Sequence, residues 1–134
     1  MILQLKLCHV YLLKQYAKKV YPIEACALLF GKLFENKKLV EKVEVIQNRL
    51  QSTSRFELDP EQVAAAIIEA EKVGLDFIGL FHSHCAPATP SSVDQKFMRL
   101  WGNAIWLILS SINNELAAYH LINDKVKKVT IHIE

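Results

Sequence analysis

Residues 78–94 of the chain read IGLFHSHCAPATPSSVD. An apolar run ends in His82 and His84, a proline-containing loop follows, and a helix start comes next. Because alternate residues of a strand project to the same side, the two imidazoles share one space while Ser83 points away. The stretch therefore predicts a central strand that presents two metal-binding side chains at its end.

The helix after this strand contributes a third candidate ligand. Ser91 and Ser92 are both possible N-caps, and Asp94 lies about one turn into the helix. Pro87 and Pro90 stiffen the short loop, so the carboxylate can return to the histidine nitrogens. Helix capping alone also selects an aspartate here, but two nitrogens and one oxygen together leave a fourth tetrahedral position free, as in catalytic zinc sites.

Hydrophobic periodicity predicts the remaining elements around this stretch. The chain has the length of one domain, 134 residues, and strands mixed with helices that end in an antiparallel meander predict an α/β fold. The predicted elements are a strand over 2–7, a helix over 8–20, strands over 23–30 and 39–45, a helix over 59–73, a strand over 75–81, a helix that contains Phe97, Met98 and Trp101, and strands over 104–109, 115–121 and 125–133.

Glu24 is the only charged residue in the apolar run from Ile23 to Phe30. A carboxylate in a buried strand is costly unless it has a partner, a bound cation or a shifted pKa. The alternative is that Glu24 lies just outside the strand, in water. Both interpretations stay open on the local sequence.

Composition and charge exclude several classes of function. The hydrophobic fraction of 51% and the charged fraction of 22% are typical of a globular protein, and no apolar run reaches the length of a membrane span. The net charge is only +2, without the basic stripe and interleaved aromatics of a nucleic-acid-binding protein. The N-terminus alternates like a strand and lacks the features of a signal peptide, so we expect a cytoplasmic protein that binds neither membranes nor nucleic acids.

The cysteines Cys8, Cys26 and Cys85 follow no disulfide or zinc-knuckle spacing, which fits a reducing compartment. We expect Cys8 and Cys26 to be buried. Cys85 follows a histidine, but no separate base and orienting residue is evident that would make it a nucleophile. We expect its side chain to point away from the site and to take no part in the chemistry; the alternatives are a thiol whose oxidation tunes activity and one that joins two chains.

Other zinc-hydrolase patterns are absent from the chain. A zinc deaminase requires His-x-Glu and a later Pro-Cys-x-x-Cys, and helical zinc proteases require His-Glu-x-x-His; none of these occurs. The pattern that is present resembles the JAMM motif of the MPN+ metalloprotease family. Its parts are Glu24 within residues 22–26 (PIEAC), residues 82–84 (HSH) and residues 91–94 (SSVD), with support from residues 55–60 (RFELDP) and 78–81 (IGLF).

The resemblance covers nearly the whole chain and implies one MPN (cytidine-deaminase-like) catalytic domain over residues 1–134. In that fold a curved, mixed and mainly antiparallel sheet carries flanking helices. The resemblance also implies that Zn²⁺ is the cofactor, with His82, His84 and Asp94 as its ligands. Glu24 would be the general base and later the proton donor.

Ser91 is the residue that the resemblance implies as the oxyanion donor. Six residues separate His84 from Ser91, one fewer than in the usual family pattern. Counting from Asp94 selects Ser91, whereas counting from His84 selects Ser92, so both serines stay open. Cys85 also stands where the family commonly has proline.

The implied activity is that of a zinc-dependent isopeptidase that removes ubiquitin-like modifier proteins from lysine conjugates. The chain lacks the long insertions of eukaryotic deubiquitinases, so we expect an archaeal enzyme that acts on small archaeal modifiers. The alternatives are a peptidase that processes the C-terminus of a sulfur-carrier protein and a catalytically silent MPN scaffold. Candidates for a homodimer surface are Trp101, Trp106 and one face of the first helix.

Overall fold

The computed structural model describes residues 1–134. Seven strands close into a barrel, and three helices pack on them. In chain order the elements are β1 (Ile2–Leu5), α1 (Leu7–Val20), β2 (Cys26–Leu33), β3 (Lys37–Ile46), α2 (Pro60–Lys72), β4 (Asp76–His84), α3 (Ser92–Leu100), β5 (Ile105–Ser110), β6 (Leu116–Ile122) and β7 (Lys125–Ile133).

The strand order around the barrel is β1-β3-β2-β4-β5-β6-β7, and β1 closes the ring. β1 pairs in parallel with β3 on one edge and with β7 on the other, and β4 pairs in parallel with β5. The remaining four pairs are antiparallel. The mixed, mainly antiparallel pairing and the α/β class are as predicted. The prediction of a simply curved sheet is wrong, because the sheet closes into a barrel. Closure depends on the two ends of the chain meeting, and no local sequence pattern reports that contact.

Two hydrophobic clusters cover the two faces of the sheet. The first contains Leu13 and Ala17 of α1 together with Phe81 of β4. The second contains Met98 of α3 and Trp106 of β5 as well as two alanines of α2. Seven successive residues of β4, from 78 to 84, are buried, which confirms the predicted central strand.

The ends of two helices follow the predicted signals. The Asp59 carboxylate accepts a hydrogen bond of 2.9 Å from the amide of Glu61, and Pro60 occupies the first position of α2. At the other end Gly74 has a positive φ of 77°, a conformation that glycine adopts readily and that ends the helix.

Two expectations about side-chain burial, for Cys8 and Trp106, are wrong. Cys26 is buried as predicted, but Cys8 is exposed, because α1 begins at Leu7 and turns the thiol outward. Trp106 is fully buried in the second cluster and cannot form a dimer surface, whereas Trp101 is half-buried. None of the helices is long and apolar enough to cross a membrane.

Candidate active site

The side chains of His82, His84 and Asp94 meet at one point at the end of β4. The Nε2 atoms of the two histidines lie 2.9 Å apart. The Oδ2 atom of Asp94 lies 3.2 Å from Nε2 of His82 and 3.1 Å from Nε2 of His84. All three residues are buried. The structure therefore brings together the three predicted metal ligands.

β4 positions the two histidines through ordinary strand geometry. The strand continues to His84, three residues beyond its predicted end, so His82 and His84 share one face. Ser83 points to the opposite face, where its Oγ accepts a hydrogen bond of 2.9 Å from the amide of Ala25. The alternation predicted from the sequence is confirmed.

A capping box at the start of α3 fixes Asp94. The Oγ atom of Ser91 accepts a hydrogen bond from the amide of Asp94 at 3.0 Å, and the amide of Ser91 donates to Oδ2 of Asp94 at 2.9 Å. The N-cap is thus Ser91, and Ser92 is the first residue of the helix. Because the capped oxygen is the one that faces the histidines, the helix start orients the carboxylate toward them.

Glu24 lies two residues before β2 and is only 3% exposed, so the interpretation that places it in water is wrong. Glu24, His82 and His84 each contribute one possible ligand atom, and these three atoms lie within 4.8 Å of one another. The Oε1 atom of Glu24 is buried and has no hydrogen-bond partner. Burial raises the pKa of this carboxyl to about 7; the charge of His84 opposes this rise, and the negative charge of Asp94 adds to it.

The pKa values of the other three titratable side chains of the site, His82, His84 and Asp94, shift in different directions. Burial lowers the pKa of His82 and thereby favours its neutral form. Burial opposes ionisation of Asp94, but the hydrogen bonds with both histidines outweigh it and hold the pKa of Asp94 well below its usual range. Burial likewise opposes protonation of His84, but the hydrogen bond and charge of Asp94 outweigh it and raise the pKa of His84. A neutral imidazole and an ionised carboxylate are the forms that bind metals.

The donor set is compatible with a metal ion. In a tetrahedral zinc site with ligands at about 2.0–2.1 Å, ligand atoms lie about 3.3 Å from one another. The three separations found here, 2.9, 3.1 and 3.2 Å, are slightly shorter than that value. The buried Oε1 of Glu24 beside them is a polar atom that only a water, a proton or a cation can satisfy.

Aromatic rings and a buried amide surround these residues, and the sequence predicted a place in the site for none of them. The centroid of the Phe56 ring lies 4.7 Å from that of His82, and the centroid of Trp106 lies 5.6 Å from that of the same imidazole in an edge-to-face arrangement. Asn48 is buried next to the backbone of Glu24. Phe56 stands in the stretch that supported the family resemblance, but Asn48 lies in a polar segment without any periodic pattern.

The loop between the histidines and α3 contacts the segment before Glu24. Cys85 is exposed, and its Sγ donates to the carbonyl oxygen of Pro22 at 3.5 Å. Nδ1 of His84 lies 3.5 Å from the carbonyl oxygen of Pro87. That contact orients the imidazole so that Nε2 faces the other ligands.

Known proteins resemble this chain in sequence and in fold. The profile of a family described as prokaryotic homologs of the JAB domain matches residues 10–125. A protein named desampylase from Pyrococcus furiosus is 42% identical over 113 residues, which cover 84% of this chain and 77% of the relative. Another desampylase, from Haloferax volcanii, is 25% identical over 115 residues, which cover 84% and 80%.

A solved structure extends the likeness to the entire chain. The solution structure of protein DSY2949 from Desulfitobacterium hafniense matches with a TM-score of 0.88 at 28% identity and covers 100% of this chain and 93% of that one. The family profile spans most of the chain, including the end of β4, the start of α3 and Glu24. The chain therefore belongs to the prokaryotic JAB-domain family, the prokaryotic group of JAMM-type proteins.

Proposed function

We propose that the chain is a zinc-dependent isopeptidase that removes small, ubiquitin-like archaeal modifier proteins from lysine side chains. The observation that carries this proposal is the meeting of His82, His84 and Asp94 beside the buried carboxylate of Glu24. Two relatives are named desampylases, a name that denotes removal of such a modifier, and one of them is 42% identical.

His82, His84 and Asp94 would hold the zinc ion through two ring nitrogens and one carboxylate oxygen. A bound zinc ion polarises a substrate carbonyl and lowers the pKa of water. The capping box orients Asp94, and the pairing of β4 with β5 holds the histidines in place.

Glu24 is the proposed general base. It would accept the proton of the attacking water and then donate it to the nitrogen of the departing lysine. Catalysis of this kind is most efficient when the pKa of the base lies near the working pH, and burial raises the pKa of Glu24 to about 7. The absence of a hydrogen-bond partner at Oε1 leaves this oxygen available for the proton transfer.

Ser91 is the proposed oxyanion donor. Its Oγ already accepts a hydrogen bond from the Asp94 amide, so its hydroxyl hydrogen can be donated to the negative charge that develops on the substrate oxygen. Ser92, the first residue of α3, makes no such contact with Asp94. The capping geometry therefore supports Ser91 over Ser92.

The proposal is tested with two substrates and one variant. The wild-type protein, loaded with zinc, is offered a lysine-linked conjugate of a ubiquitin-like modifier and a sulfur-carrier protein with a C-terminal extension. We expect faster cleavage of the conjugate, with only a small residual rate in Glu24→Gln. Faster cleavage of the extended carrier would instead support the peptidase. If the protein binds no zinc and Glu24→Gln cleaves as well as wild type, the protease proposal is wrong.

A further inference from the structure

Two buried side chains contact the peptide group that joins Glu24 to Ala25. Nδ2 of Asn48 donates to the carbonyl oxygen of Glu24 at 3.3 Å, and the amide of Ala25 donates to Oγ of Ser83 at 2.9 Å. The carbonyl and the amide hydrogen of a trans peptide point in opposite directions. The same peptide group is thus bonded on both of its edges, and both bonds come from side chains.

These side chains replace the strand pairing that the peptide group lacks. β2 begins at Cys26, so Glu24 lies before the strand. The amide of Glu24 donates to the carbonyl oxygen of Ser52 in the loop that follows β3. Apart from the side chains of Asn48 and Ser83, the Glu24–Ala25 segment has this backbone bond to an irregular loop and one from the amide of Ser83 to the carbonyl oxygen of Ala25.

Asn48 uses its whole hydrogen-bonding capacity. Its Nδ2 donates to the carbonyl oxygens of Glu24 and Arg55, and its Oδ1 accepts from the amides of Leu50 and Glu57. The side chain has two donors and one oxygen with two lone pairs, so only one orientation satisfies all four bonds. Asn48 therefore closes the loop on itself and joins it to Glu24.

Ser83 joins the same peptide group to the strand that carries the histidines. Its Oγ accepts from the amide of Ala25, and its own amide donates to the carbonyl oxygen of Ala25 at 3.0 Å. The residue is buried on the face of β4 opposite the metal ligands. The distance between Glu24 and the histidines thus depends on this pair of hydrogen bonds.

We propose that Asn48 and Ser83 are positioning residues that set the place of the Glu24 carboxylate relative to His82 and His84. The inference rests on the proposed function, in which Glu24 is the base. Since no hydrogen bond holds Oε1 of Glu24, a shift of its backbone is passed on directly to the carboxylate. Neither residue is a proposed metal ligand, and misplacement of a catalytic group by about 1 Å can cost 100-fold in rate.

The first test uses the zinc-loaded full chain with the lysine-linked conjugate. For Asn48→Ala and Ser83→Ala we expect kcat to fall about 10- to 100-fold while KM stays within about threefold and the zinc content is unchanged. Ser83→Thr keeps the hydroxyl and should recover most of the lost kcat. Gln51→Ala is the matched control, because Gln51 bonds to the backbone oxygen of Asn48 in the same loop without contacting Glu24.

A double-variant comparison separates positioning from general loss of structure. In a Glu24→Gln background, addition of Ser83→Ala should lower the residual kcat by less than about twofold, because the base through which Ser83 acts is already gone. A further tenfold loss there would show that Ser83 acts by another route and would overturn the inference.

The second test needs no activity and follows the exchange of the Ala25 amide by NMR. In Ser83→Ala this amide loses its acceptor, and we expect its exchange to be at least tenfold faster than in wild type and in Gln51→Ala. If the wild type cleaves no conjugate, the proposed function fails, and this exchange rate alone then decides whether the two side chains fix the peptide group. The inference is overturned if Ser83→Ala has the kcat of the wild type and its Ala25 amide exchanges at the wild-type rate. This outcome decides the matter even if Asn48→Ala does not fold.

Discussion

The Nε2 atoms of His82 and His84 face each other at 2.9 Å in a buried site, and one oxygen of Asp94 lies within 3.2 Å of both. Two ring nitrogens and a carboxylate oxygen are all acceptors in their metal-binding forms. At such separations they repel one another unless a proton or a cation lies between them. Binding of a metal ion to this group should therefore stabilise the fold as well as enable catalysis.

We expect zinc to raise the free energy of unfolding of the wild-type protein. At a free zinc concentration about 100 times the Kd, the increase should be about 2.7 kcal/mol. His84→Ala should lose this increase together with all measurable cleavage, because only two of the three ligands remain. Urea unfolding with zinc and with a chelator measures the effect.

His132→Ala is the control for that experiment. His132 is an exposed histidine on β7, away from the site, and its removal should leave the zinc-dependent stabilisation intact. Identical unfolding curves with zinc and with chelator for the wild-type protein would show that the three side chains do not bind the metal.

Replacement of the two serines at the start of α3 should have unequal effects. Ser91→Ala removes the N-cap and should lower the free energy of unfolding by about 1 kcal/mol. It also removes the proposed oxyanion donor, so kcat should fall roughly 100-fold or more. Ser92→Ala should change neither quantity appreciably. A larger loss of kcat in Ser92→Ala than in Ser91→Ala would assign the oxyanion role to Ser92 instead.

Local patterns are sufficient to predict most elements and the candidate metal-binding group. The apolar run of β4 and the His-x-His spacing predicted a buried strand with two imidazoles on one face, and both features are present. The Ser-x-x-Asp spacing predicted a helix start, and Ser91 and Asp94 form a capping box there. These features depend on residues close together in the sequence, so their pattern is visible in it.

Features that depend on distant residues were not predictable in the same way. The burial of Glu24 follows from contacts with Asn48, Ser52 and Ser83, which lie far along the chain. Closure of the barrel follows from pairing of β1 with β7 at the opposite end of the sequence. The burial of Cys8, expected only because unpaired cysteines are usually buried, is wrong, because which face of α1 packs on the sheet depends on strands that lie far along the chain.

The three cysteines should differ in reactivity toward Ellman's reagent. Cys8 and Cys85 are exposed, whereas Cys26 is buried and burial raises the pKa of its thiol. We expect two thiols to react in the native protein and the third only after unfolding. The double variant Cys8→Ser/Cys85→Ser provides the control, since it retains only Cys26 and should not react while folded. Rapid labelling of that variant would contradict the buried position of Cys26.

Glu24→Gln should stabilise the metal-free protein while it removes most of the activity. The wild-type carboxylate is buried, and its Oε1 has no hydrogen-bond partner, so ionisation at pH 8 is costly. A neutral amide of the same size avoids this cost, and the free energy of unfolding in chelator should rise. Glu57→Gln, at an exposed carboxylate, should leave stability nearly unchanged. A less stable Glu24→Gln protein would mean that the carboxylate has a favourable partner in the native state.

Gly79→Ala on β4 should be much more destabilising than Gly102→Ala in the turn after α3. A Cβ atom at Gly79 would lie 1.9 Å from the carbonyl oxygen of Ile105 on the neighbouring strand β5. Since the obstacle is backbone, the two strands must separate, and we expect a loss of at least about 3 kcal/mol in the free energy of unfolding. Gly102→Ala is the matched control, because its Cβ meets nothing within 4 Å and only the positive φ of 61° opposes it, at about 1 kcal/mol.

Urea unfolding of both variants measures the difference, and equal losses would show that β4 and β5 are not as close at Gly79 as their pairing requires. Because β4 carries His82 three residues later, separation of the strands should also weaken zinc binding in Gly79→Ala, whereas Gly102→Ala should bind zinc like the wild type.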